Sequence, residues 1–186
     1  NREYDRLRAA MGGTAHPQVS QKQFRDIAEP FISTRFSGGE GHLEVSKTIY
    51  YTQDSLSHFV VSLKPFGCLP STQSDGAQAA VLSRYPDILY IPVETSGEGE
   101  ANAYSRVLMA VGEAKGRARA EFDRCIAQTG RTLDEIRAYC VRHPELRKPL
   151  QQIPAYSGVT GRAANFVLYV ASLMEKAENR SAGGVF

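Results

Sequence analysis

The chain has 186 residues, 42% of them apolar and 23% charged, with 22 Lys and Arg set against 20 Asp and Glu. That apolar share excludes a disordered chain, and a formal charge of +2 gives no ground for a nucleic-acid partner. No apolar run reaches the roughly 20 residues needed to cross a bilayer, and three Cys are too few and too scattered for a disulfide framework.

The length suits a single domain over 1–186, helical over 1–56, βαβ over 57–95 and helical again over 99–178. The chain opens Asn1-Arg2-Glu3-Tyr4, without Met or a basic-then-apolar leader, as expected of a piece excised from a longer protein. Reduced thiols and the lack of a targeting segment point to the cytoplasm.

Residues 2–11 read as a short charged helix running into Gly12-Gly13. Over Val19 to Ile32, Phe24, Ile27, Ala28, Phe31 and Ile32 recur at the period of one helix face. Pro30 breaks or kinks that helix, or opens a second one. Ser37 to His42 is a glycine-rich loop, and Leu43 to Tyr51 a short helix. Phe59 to Leu63 is a β-prone run ended by Lys64-Pro65, Gln73 to Arg84 a helix, and Ile88 to Val93 a second β-prone run. Strand, helix and strand in so few residues predict a βαβ unit with parallel strands and a right-handed crossover. Two parallel strands do not stand alone, so helices cover them or further strands lie elsewhere in a parent chain.

The remainder reads as helical. Asn102 to Gln128 carries Val107, Val111, Ala114, Ala118, Phe122 and Cys125 on one stripe, with Gly130 as its stop. Thr132-Leu133-Asp134-Glu135 is a capping box opening a helix to Val141. Residues 160–174 are apolar nearly all round and predict the central buried helix, followed by a frayed tail at Ser181 to Gly184.

Three loops can carry chemistry. Lys64 to Ser71 lies at the carboxyl end of the first strand and just before a helix, where open α/β sheets bind ligands. The positive helix end favours a thiolate there, so Cys68 is a candidate metal ligand or nucleophile, or else a small residue filling a turn between two prolines. Cys125 and Cys140 fall within helices and read as packing residues. The second loop, Glu94 to Asn102, ends the second strand. Glu94, Ser96 and Gly97 can face a ligand, and Asn102, Ser105 and Arg106 can reach the same crevice; the plain alternative is an acidic βα turn. In the third, Glu40, His42 and Glu44 are an acid/base or metal-ligand set, or a turn in which Glu40 caps the next helix. Gly158 to Arg162 carries a weak anion-site signal at a helix start. His16, His58 and His143 have no partner evident from spacing.

Taken together, LKPFGCLPS at 63–71, SDGAQAAV at 74–81, IPVETSGEGEANAYSRV at 91–107, GGEGH at 38–42 and GVTGRAANFV at 158–167 resemble the 2-hydroxyacyl-CoA dehydratase and benzoyl-CoA reductase superfamily. Within it they most resemble a branch of bacterial proteins related to acyl-CoA dehydratase activases. The resemblance runs from residue 20 to residue 175 and implies a Rossmann-like α/β fold rich in helices. It also implies a cysteine-ligated iron–sulfur cluster, of the [4Fe-4S] or double-cubane type, fed with low-potential electrons by an ATP-dependent activator. The substrates implied are acyl-CoA thioesters. Cys68 matches the family's cluster cysteine, and Asn102 and Arg106 match polar positions after the second strand. The further cluster cysteines of the family do not occur in this sequence, so the remaining ligands are expected outside it, and this piece alone is expected to be inactive.

Two functions follow as expectations. One is an iron–sulfur redox module, a lyase or reductase component acting on acyl-CoA. The other is a non-catalytic docking or regulatory domain of a large activase-like protein, with the Cys68 loop structural. Expected partners are the activator or other domains of the parent chain, or a second copy in a homodimer, since exposed strand edges favour pairing. No nucleic acid and no membrane are expected.

Overall fold

A computed structural model of the chain describes residues 2–13, 15–35, 39–95 and 100–182. The fold is mixed α/β, mostly helical, with one small parallel sheet. The chain divides into two compact units, one spanning Val19–Arg117 and the other made of the first eighteen residues with the segment from Ala118 onward.

The Val19–Arg117 unit begins with α2 (Gln21–Ala28), the short α1 (Arg2–Ala10) belonging to the other unit. Ser20 caps α2, accepting from the Gln23 N–H at 3.1 Å. The apolar stripe read from the sequence is real, but the helix stops at Ala28 and Phe31 and Ile32 follow in a turn, as Pro30 demands. Next come α3 (Gly41–Gln53), β1 (Val60–Pro65), α4 (Leu69–Arg84) and β2 (Tyr90–Thr95). The two strands are parallel, in register from Val60 opposite Tyr90 to Pro65 opposite Thr95. Ala28, Val45, Ile49, Val81 and Ile88 form the core, with Ile27, Phe31, Leu82 and Tyr85 packed around it. α3 is the hub, packing on α2, α4 and β1.

The other unit is helical. α5 (Glu100–Thr129) enters it at Ala118, stops at Gly130 with a φ of 63°, and is followed by α6 (Leu133–Arg142) and α7 (Arg162–Ala182). The capping box at α6 forms as read: the Thr132 hydroxyl accepts from the Glu135 N–H, and the Glu135 carboxylate accepts from the Thr132 N–H at 2.7 Å. Ile136, Leu146, Val167, Val170 and Met174 make one core cluster, and Cys125, Val159 and Ala164 a second. α7 buries one apolar stripe, Ala164, Val167, Val170 and Met174, together with Asn165, and leaves its other described side chains partly or fully open, so it is less enclosed than its apolar sequence suggested.

Candidate functional site

β1 delivers its carboxyl end to a tight turn. Gly67 takes a φ of 70°, open to glycine without strain. Cys68 follows as the N-cap of α4, with extended backbone and half-buried, and Pro70 sits in the first helical turn, where its missing N–H costs nothing. The helix therefore begins four residues earlier than the sequence pattern indicated, directly on Cys68. The Ser71 hydroxyl lies 3.3 Å from the Cys68 Sγ. Phe66 and Leu69, on either side, are exposed, as is Leu63 on the strand before them.

The glycine loop ahead of α3 packs against this turn. A Cβ on Gly41 would come 2.8 Å from the Pro70 carbonyl oxygen, and one on Gly39 would strike the Pro70 ring. Two of the three loops nominated from sequence thus meet at the carboxyl end of β1. The third begins beside them, since β2 runs parallel to β1 and ends level with it. Glu94 is exposed there, and Asn102 and Arg106 are exposed on the first two turns of α5. Ser96 and Gly97 lie outside the described residues, as does Gly38.

Within the Gly39–Glu44 loop the titratable residues part company. Glu40 is exposed at the N-cap position of α3 but makes no side-chain capping bond. His42 is half-buried in the first turn. Glu44 turns inward and becomes the centre of a polar cluster that spacing alone did not show. Its Oε1 accepts from Ser62 of β1 at 2.5 Å and from Tyr90 of β2 at 2.5 Å, and its Oε2 accepts from Ser74 of α4 at 2.6 Å. Burial pushes the Glu44 carboxyl up, but the three hydroxyl donors and the nearby Lys64 ammonium outweigh it and hold the group below the usual range. Burial, and then the Glu44 charge it donates to, push the Tyr90 phenol well above its ordinary value. Lys64, 8% exposed, forms an ion pair with Asp75 of α4.

This cluster leads to the sulfur. Ser74 and Ser71 both lie in the first two turns of α4, and the Ser71 hydroxyl approaches Cys68, so the carboxylate that accepts the Ser74 hydrogen bond holds the helix whose N-cap carries the thiol. The three hydroxyls around Glu44 all donate to it, which is the arrangement of a positioning hub. The signal available in sequence was the recurrence of small hydroxyl residues, Ser62 and Ser74, on the faces that meet α3.

The other two thiols sit in the helical unit. Cys125 is fully buried, where burial and the Glu121 charge push its thiol up; Cys140 is half-buried and likewise raised by burial. The Gly158–Arg162 anion signal proves to be met from within: Glu121, 6% exposed, accepts from the N–H groups of Thr160 at 2.8 Å and Gly161 at 2.6 Å. His143, read as partnerless, stacks on Tyr139 at 4.1 Å and lies 2.9 Å from Glu145.

Among the described residues no group of three or more His, Cys, Asp or Glu side chains is placed to hold a metal. Cys68 is one cysteine without a second in its unit, so the donor set fits a single contribution to a shared cluster and does not fit a complete one. No helix among the described residues is long and apolar enough to cross a membrane. Comparison with known proteins gave no matching family model, no matching curated protein and no matching solved structure.

Proposed function

We propose that this chain is part of an iron–sulfur redox protein related to 2-hydroxyacyl-CoA dehydratase subunits, in which Cys68 supplies one thiolate and the remaining ligands come from outside the chain. The observation that carries the reading is the placement of the thiols. Cys68 alone stands at the carboxyl end of a parallel strand and the start of a 16-residue helix, whereas Cys125 and Cys140 are packed within helices. In this reading the βαβ unit is the visible part of a Rossmann-like sheet, the protein is cytoplasmic, and its partners are an ATP-dependent activator and an acyl-CoA.

A cluster bound there supplies one-electron transfer at low potential. What this chain does is hold the sulfur. The start of α4 carries the sulfur at its N-cap, Cys68. Glu44, through Ser74, holds the start of α4, and Gly39 and Gly41 let the loop ahead of α3 close against Pro70. Glu94, Asn102 and Arg106 offer polar groups near the same end of the sheet.

The test is anaerobic purification with iron analysis and visible absorbance of the whole protein. The expected result is bound iron that Cys68→Ala abolishes and that Cys125→Ala and Cys140→Ala retain. An iron-free protein, or iron that survives Cys68→Ala, refutes the reading. The second reading, a non-catalytic docking domain, is favoured by the exposed Leu63, Phe66 and Leu69 around the turn, an apolar rim that suits cover by another domain. An iron-free protein would select it.

A further inference from the structure

The two edges of the small sheet are unlike. The Val60 N–H donates to the Leu89 carbonyl at 2.9 Å, which sets the phase of the parallel ladder. Val60, Ser62 and Lys64 turn their backbone groups toward β2, and the Thr95 hydroxyl bonding the Lys64 carbonyl agrees with that phase. Val61, Leu63 and Pro65 therefore face away from β2. By the same phase Tyr90, Pro92 and Glu94 form the outer row of β2. Pro92 stands in the middle of that row without an N–H, so the β2 edge is blunted against another strand. The β1 edge is not: the N–H and C=O groups of Val61 and Leu63 have no partner among the described residues.

We propose that the β1 edge is a self-pairing surface, on which β1 of a second copy of this chain docks antiparallel with Val61 of each copy opposite Leu63 of the other. The register follows from the donors. An antiparallel hydrogen-bonded pair exchanges two N–H···O bonds, and setting Val61 against Leu63 uses both outward donors of both strands. Sliding the pair so that Leu63 faces Leu63 would set Pro65, which has no N–H, against Val61 and lose a bond at each end. The side chains agree with this choice. Ser62 and Lys64 point to the face where Glu44 and Asp75 hold them, and Val61 and Leu63 to the other. Leu63 is 71% exposed and Val61 half-buried, so the two-fold pairing gathers four apolar side chains on one face and brings no unpaired charge together.

The occupant is a second copy because the edge is complementary to itself, and because the blunted β2 edge denies the alternative of head-to-tail addition into a filament. The antiparallel arrangement sends the two Cys68 turns to opposite ends of the pair, so the dimer does not need the iron–sulfur reading and leaves the sulfur clear; further strands of a larger sheet would compete for this same edge, and the exchange experiment below separates the two.

Light scattering across a wide range of protein concentration, with amide exchange read at Val61 and Leu63, tests the proposal. The expected result is a mass that rises toward twice that of the chain, with protection of those two amides rising in step. Leu63→Lys and the uncharged Leu63→Asn should each weaken the dimer about tenfold or more, and Leu108→Lys, at an exposed apolar residue of α5, should leave it unchanged. A monomer at every concentration overturns the proposal, as does a dimer indifferent to both Leu63 variants. Protection of Val61 and Leu63 that does not depend on concentration also overturns it, since another segment then occupies the edge. Exchange uses the unaltered chain, so it decides the matter even where a variant misfolds.

Discussion

Gly41 and the Pro70 carbonyl are in such close apposition that the first carbon of any side chain at position 41 would lie 2.8 Å from the oxygen. The start of α3 and the start of α4 are thus held at a spacing only glycine permits. Gly41→Ala should destabilise the Val19–Arg117 unit by about 1–3 kcal/mol, the usual range for forcing atoms into a packed site. Gly76→Ala in the middle of α4, with nothing near the new methyl, should instead stabilise it by about 0.5–1 kcal/mol. Urea unfolding of the two variants checks the contrast in sign.

Glu44→Gln should cost about 1–3 kcal/mol, because an amide cannot accept from all three hydroxyls that the carboxylate satisfies. The folded-state pKa of Glu44 lies below its ordinary 4.5, so its contribution is present above pH 4.5 and is lost as the pH falls through the folded value. Unfolding free energy measured across acid pH should fall less steeply in Glu44→Gln than in the parent chain. Equal slopes would show that the carboxylate is not held as described.

Tyr90 makes the opposite prediction at the other end of the pH scale. Its folded pKa lies above the ordinary 10.0, so its contribution is whole below pH 10 and is lost as the pH rises through the folded value. Tyr90→Phe, which removes one donor to Glu44, should lower stability at neutral pH by about 1 kcal/mol. The parent chain should lose that advantage in strong alkali, as denaturation followed at pH 8 and above pH 10 would reveal.

Glu121→Ala should expose the N–H groups of Thr160 and Gly161 to exchange and destabilise the helical unit by about 1–3 kcal/mol, the cost of leaving buried donors unpaired. Adding phosphate to that variant, with the carboxylate gone, should restore part of the lost protection, since a helix start accepts anions. Phosphate should do nothing to the parent chain.

Much of the layout was legible because it rests on local rules. The capping box at Thr132, the stop at Gly130 and the parallel βαβ order are each written in a few neighbouring residues. Element ends were less so: α4 starts at Leu69, just after Cys68, and α3 at Gly41, where their first turns pack together at Pro70 beyond the apolar pattern of either helix. The Cys68, Glu40 and Glu94 loops were correctly seen as lying at strand or helix ends. The inward turn of Glu44 was invisible, because its three donors are drawn from positions 62, 74 and 90 and only the fold assembles them. The Glu121 contact was hidden for the same reason, with its acceptor some forty residues from its donors.

That one carboxylate of α3 collects hydroxyls from three other segments has a bearing on how the unit comes apart. Detaching any single segment leaves a half-buried charge short of donors, so local opening is penalised and the neighbouring pieces tend to release together. Slow amide exchange in α3, β1, α4 and β2 should therefore share one rate-limiting event, and the turn bearing the sulfur inherits the rigidity of the whole assembly.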